Sequence, residues 1–200
     1  MKIDCTLKRG KYIGKVNSLL QEFHFVKPEV FVKLLNIYTT SFYGSGLWDL
    51  YSKEVDRLYK AWNVTIRKSF SVPYTTHRYL IEPLSGCLHP KVMLSSRLVK
   101  LRDTMMSCNK LTIKLLIKLF EGDWRTVMGR NLGLIKTELG GGLLTPANIK
   151  RNLKYFQVPD DQQWRVSAVS ELMEVRAGVT EIGGFSATEV EDYIELICSG

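Results

Sequence analysis

Apolar residues in this chain recur at intervals of three and four and never in a long alternating run, which confines it to a helical fold. Ile13, Val16, Leu19, Leu20 and Phe23 share one face of a first helix. Pro28 suits the first turn of a second, with Glu29 near its positive end and Phe31, Leu34, Leu35, Tyr38 and Phe42 as its apolar stripe. Tyr43-Gly44-Ser45-Gly46 stops it. A third helix runs from about Leu50 to Phe70, with Val55, Leu58, Tyr59, Trp62, Ile66 and Phe70 on one side. Pro73, Pro83, Gly86 and Pro90 then predict turns around one short helix, His77 to Ile81.

Further helices are predicted over Lys91 to Met106, Lys110 to Glu121 and Asp123 to Glu138, with Asp123 as a cap. Three more follow, at Pro146 to Tyr155, Asp160 to Arg176 and Ala187 to Cys198, the last capped by Ser186. The expected fold is all-α, an irregular multi-helix bundle with a smaller C-terminal helical unit. Gly140-Gly141-Gly142 gives the backbone a freedom that neither a helix nor a strand uses well. The expected organisation is therefore a basic helical domain over 1–139, a glycine-rich hinge over 140–145 and a helical tail over 146–200.

Charge divides the chain unevenly. Met1 to Val158 carries 26 Lys and Arg against 11 Asp and Glu, a net +15, whereas Pro159 to Gly200 carries 2 against 9, a net −7. The tail is acidic from Asp160 onward. The basic part has the balance of something that meets polyanions, although an anionic membrane surface would attract it as well. The most apolar stretch, Leu111 to Phe120, is cut by Lys114 and Lys118 and is too short to span a bilayer. The start MKIDCTLKRGKY lacks the apolar core of a signal peptide, so the expected setting is intracellular, cytoplasmic or nuclear. Scattered cysteines at 5, 87, 108 and 198 fit reduced thiols, and Cys87-Leu-His89 lacks the paired ligands of a structural zinc site.

The candidate binding residues form two rows. At 100° per residue, Lys53, Arg57, Lys60, Arg67 and Lys68 fall in one sector of the third helix with Trp62 opposite. Such a row binds successive phosphates with salt-sensitive affinity and little base preference. Lys110, Lys114 and Lys118 repeat the arrangement at four-residue spacing around Leu111, Leu115 and Leu119. Taken alone, each row also fits a solvated charged face. Of the aromatics crowded between Phe42 and Tyr79, Tyr43 and Tyr74 lie near turns and are the ones expected to be exposed for stacking.

No catalytic constellation is apparent. Asp160-Asp161 is the only adjacent Asp pair, and it begins a predicted helix, where the dipole favours acids without any chemistry. Neither a phosphate-cradling glycine loop nor a Gly-x-Ser-x-Gly elbow occurs.

Several stretches resemble non-LTR (LINE-type) retrotransposon proteins of animals, in the region downstream of the polymerase palm. They are IGKVNSLL from Ile13, FYGSGLWDL from Phe42, WNVTIRK from Trp62, and VPYTTHRYLIEPLSGCLHP from Val72 to Pro90. The last third resembles the tail of the same proteins, with KYFQVPDDQQWRV from Lys154 as a landmark. The resemblance implies a thumb-like subdomain and C-terminal extension of an RNA-directed DNA polymerase, a reverse transcriptase, holding a template-primer duplex. RNA or an RNA–DNA hybrid is then the expected partner. The palm's aromatic-x-Asp-Asp motif is absent, so the magnesium of the parent-type enzyme would belong to a palm this chain lacks. No cofactor and no polymerase activity are expected of the chain alone, and its opening MKIDCTLKRG looks like a start inside a longer reading frame. A free-standing helical adaptor with a protein partner at the acidic tail is the alternative reading.

Overall fold

The computed structural model describes residues 2–154, 157–178, 192 and 194–198, and among these every regular element is helical. The protein is all-α. In chain order the helices are α1 (Lys2–Glu22), α2 (Pro28–Thr39), α3 (Lys53–Ser69), α4 (Ile81–Ser85), α5 (Pro90–Ser107), α6 (Leu111–Gly122), α7 (Val127–Glu138), α8 (Pro146–Asn152) and α9 (Gln163–Gly178). Short 3-10 turns stand at Ser45–Leu47, Arg78–Leu80 and Asp160–Gln162, and the described residues 192 and 194–198 are helical. The expected cap Ser186 and helix start Ala187 lie outside the described residues. The chain divides into two units, the first made of residues 1–9, 42–59 and 88–155, the second of 10–41, 60–87 and 156–200.

In the first unit Trp48, 2 % exposed, is the largest anchor. Its indole N–H donates to Asp4 Oδ2 at 2.9 Å, and its ring lies 5.9 Å from that of Phe42. α5 packs against α6, α8 and the 3-10 turn at Ser45–Leu47. The interior is filled by Leu94, Leu98 and Val99 of α5, Ile117 of α6, Ile135 of α7 and Ile149 of α8. Pro90, Pro146 and, in the second unit, Pro28 each open a helix, where a missing backbone N–H costs nothing.

The cap of α7 is Thr126, not Asp123. Its hydroxyl accepts the Gly129 N–H at 2.9 Å, while Asp123 Oδ1 accepts from the Arg125 N–H in the preceding turn. Both residues are good cap formers; the turn after α6 consumes Asp123 and leaves Thr126 at the helix mouth. Beyond α7, Gly140 and Gly141 adopt left-handed φ of 61° and 81°. Gly140 N–H bonds the Thr137 carbonyl at 3.0 Å and Gly141 N–H the Lys136 carbonyl at 2.9 Å, the paired bonds of a Schellman cap. The glycine run thus closes a helix, with α7 and α8 in the same unit.

In the second unit, Val72, Leu80, Leu84, Val169, Ile194 and Ile197 form one apolar cluster with Phe70, Val166 and Leu172 packed against it. α4 and α9 meet there. Further apolar residues of the unit, Tyr12, Val16 and Leu19 of α1, Phe31, Val32 and Leu35 of α2, and Trp62 and Ile66 of α3, are buried. The inward faces of α1 and α2 are turned relative to the expected stripes. Tyr12 and Val32 point inward, and Ile13 and Tyr38 are 40 % and 57 % exposed. Just beyond α3, Ser71 adopts φ 54°, with the Val72 N–H bonded to the Arg67 carbonyl at 3.1 Å. A non-glycine residue in that region carries some backbone strain, held here by the cap bonds.

Candidate nucleic-acid interface

α3 is built for a sharp division of faces. Glu54 and Asp56 occupy its first turn and Arg67 and Lys68 its last, which complements the helix dipole at both ends. Val55, Leu58, Tyr59, Trp62 and Ile66 are all buried, as their spacing predicts. Opposite them, Lys53, Arg57, Lys60 and Lys68 are exposed.

Arg67 departs from this row. It is 8 % exposed, and its Nη2 donates to the Thr76 carbonyl at 2.7 Å. Its guanidinium lies 5.7 Å from the centre of the Tyr74 ring. Burial first, and the like charge of Arg78 second, lower its pKa. The physical reason for the departure is the loop after α3, which folds back so that Thr76 receives the guanidinium.

On α6 the cationic row is present, with Lys110 and Lys118 exposed and Lys114 half-buried. The helix, however, buries Ile117 and turns Leu111, Leu115 and Leu119 outward at 69 %, 52 % and 67 % exposure. The two rows of α6 therefore both face outward from its packed side. Among the aromatics, Tyr43 and Tyr74 are exposed at 89 % and 80 %, as their turn positions predict.

Within the second unit a groove of about 440 Å³ opens beside α3. Lys60, Arg67 and Arg78 line it, and no carboxylate is among its described lining residues. Tyr74, Asn63 and Thr76 contribute further polar and aromatic surface. His77 and Tyr79, also in the lining, stack at 5.2 Å with their rings 13° apart, and the Tyr79 hydroxyl donates to Gln162 Oε1 at 3.2 Å. The sequence marks Tyr74 by its turn position but gives no periodic signal for Asn63 or Arg78. A second groove in the same unit, about 200 Å³, has Asp192 and Glu195 in its lining and is electrostatically unsuited to a polyanion.

No group of His, Cys, Asp and Glu that could hold a metal ion occurs among the described residues. Burial pushes the thiols of Cys5 and Cys198 up to about 11, so both stay protonated at neutral pH and are poor nucleophiles and ligands. His89 is 1 % exposed and serves as the cap of α5, its Nδ1 accepting the Lys91 N–H at 3.1 Å. No described helix is long and apolar enough to cross a membrane. No family model, curated protein or solved structure matches the chain.

Proposed function

We propose that this chain grips nucleic acid by its phosphates, as the thumb-like and C-terminal part of a LINE-type reverse transcriptase does in the resemblance drawn above, and performs no bond-making itself. The observation that carries the reading is α3, a helix anchored by Trp62 and Ile66 on one face and exposing Lys53, Arg57, Lys60 and Lys68 on the other. Exposed cations on a rigid helix meet successive phosphates without losing much side-chain freedom elsewhere, and release condensed counterions on binding. RNA or an RNA–DNA hybrid is the partner this reading names. Titration of the purified chain with a labelled hybrid at several salt concentrations tests it. Affinity is expected to fall steeply with salt. Lys53→Gln with Arg57→Gln should flatten the slope of log affinity against log salt by up to about 1.8, at roughly 0.9 per phosphate contact. Salt-insensitive binding, or no binding at 50 mM salt and below, would overturn it.

A second reading, a helical adaptor for a protein partner, draws support from α6, whose Leu111, Leu115 and Leu119 form an exposed apolar row. Addition of primed RNA, deoxynucleotides and magnesium is expected to give no primer extension under either reading.

A further inference from the structure

α6 turns to solvent a kind of face that helices of a closed fold bury. Five of its twelve residues are large apolar side chains in the open, Leu111, Leu115, Leu116, Leu119 and Phe120, at 69 %, 52 %, 49 %, 67 % and 42 % exposure. Trp124, just past its end, is 73 % exposed. Single exposed leucines are ordinary, but a contiguous apolar face marks an interaction surface. At about 100° per residue the four leucines span a sector of about 140°, with Thr112 the one polar residue inside it. Ile117, on the opposite side, is 1 % exposed and anchors the helix against the rest of its unit. The leucine row is therefore held in place before anything binds it.

The charges of α6 narrow what covers that face. Lys110, Lys114 and Lys118 each precede a leucine of the row by one residue, so cations and leucines run along the helix as two parallel lines about 100° apart. No salt bridge reaches any of the three among the described residues. Glu121, the one acid on the helix, lies on the same flank and is paired with Arg102, whose Nε is 3.4 Å away. Three aligned like charges repel one another, and a row of carboxylates at the same spacing relieves them. A partner helix supplies such a row beside an apolar seam, as paired helices do along a coiled coil. Other surfaces match only half of the pattern. A nucleic-acid duplex answers the lysines but offers the leucines no apolar surface. A second copy of α6 sets lysine row against lysine row when antiparallel and leaves both rows unanswered when parallel. A helix lying in a lipid surface keeps its polar face opposite the apolar one, and that is the side α6 uses for packing.

We propose that the exposed face of α6 docks an acidic amphipathic helix of another protein, which lays an apolar seam along Leu111, Leu115 and Leu119 and carboxylates along Lys110, Lys114 and Lys118. The inference rests on the protein-partner reading of α6 and names the chemistry of that partner; it leaves α3 to nucleic acid.

The test uses the full chain and three labelled peptides of about three heptads with one leucine seam, flanked by glutamate, by glutamine or by lysine. Fluorescence anisotropy should show the glutamate peptide binding at least about tenfold more tightly than the other two. Leu115→Gln with Leu119→Gln should weaken that binding about tenfold, with circular dichroism confirming the fold. Lys110→Glu with Lys118→Glu should reverse the preference, so that the lysine peptide binds best. Equal, leucine-dependent binding of all three peptides would overturn the acidic partner and leave the protein-partner reading standing. Binding of none would overturn both. A concentration-dependent dimer, or binding to phosphatidylserine-containing vesicles, abolished by the leucine pair would also overturn the proposal, giving the face to a second copy or to a lipid surface.

Discussion

Asn131 on α7 accepts the backbone N–H of Leu50 through its Oδ1 at 3.1 Å, with both residues buried. The same amide donates through Nδ2 to the Trp48 carbonyl at 2.7 Å, so one side chain satisfies both polar groups of a buried turn. Replacement Asn131→Leu is expected to cost about 2–5 kcal/mol, the penalty of orphaning a buried donor and a buried acceptor. The drop appears as a lower urea midpoint at unchanged slope. An unmoved midpoint would mean that the turn finds other partners at no cost.

Two glycines on the same helix should respond oppositely to alanine. A Cβ on Gly129 would lie 2.3 Å from the Asp123 carbonyl oxygen and 2.4 Å from that of Phe120, both backbone atoms that cannot swing aside. One on Gly133 would meet nothing within 4 Å. Gly129→Ala should destabilise by roughly 1–3 kcal/mol through forced backbone shifts. Gly133→Ala should stabilise by about 0.8–1 kcal/mol through the better helix propensity of alanine. Thermal unfolding of the two variants in parallel checks the sign of each, and a Gly129→Ala variant as stable as the parent or more so would contradict the close packing at Gly129.

Stability should depend on pH through His89. Burial, followed by the charge of Lys91, holds its pKa well below 6.5. The folded protein therefore keeps the ring neutral where an unfolded chain would protonate it. Stability is complete above pH 6.5 and is lost as pH falls from there toward the folded pKa, by up to about 1.4 kcal/mol per pH unit. Protonation would also remove the lone pair with which Nδ1 accepts the Lys91 N–H. His89→Asn, which can still cap α5 but does not titrate in this range, should flatten the profile between pH 4 and 6.5, leaving only the carboxylates' share. An identical slope in the variant would assign the acid sensitivity elsewhere.

What the sequence made legible follows how strongly each signal was repeated. The stripe of α3 recurs five times from Val55 to Ile66, and no other helical phase places those residues together. In α1, Tyr12 and Ile13 are adjacent and both apolar, so spacing alone could not decide which points inward, and Tyr12 does. Asp123 and Thr126 were equivalent cap formers until the turn after α6 used one of them. Arg67 belongs to the exposed row on a helical wheel, and only the return of the chain at Thr76, a tertiary event, draws it inside. The groove beside α3 was invisible for the same reason, because Asn63 and Arg78 become neighbours of one cavity through that loop and through no periodicity.

The α6 row allows the nucleic-acid and protein-partner readings to be separated on one helix. Lys110 and Lys118 are exposed and Lys114 half-buried, while the packed contact of α6 is made by Ile117, so Lys110→Gln, Lys114→Gln and Lys118→Gln together should leave the fold intact. If these cations meet phosphates, the triple variant should flatten the slope of log affinity against log salt for an RNA–DNA hybrid by up to about 2.7, or roughly 0.9 for each contact removed. Leu115→Gln with Leu119→Gln should leave that slope untouched, because exposed apolar side chains release no counterions. The two sets of variants, measured with the same hybrid and with circular dichroism as a control on folding, give opposite patterns under the two readings. A slope unchanged by the lysine set would remove α6 from the nucleic-acid interface and leave its leucine row to a protein partner.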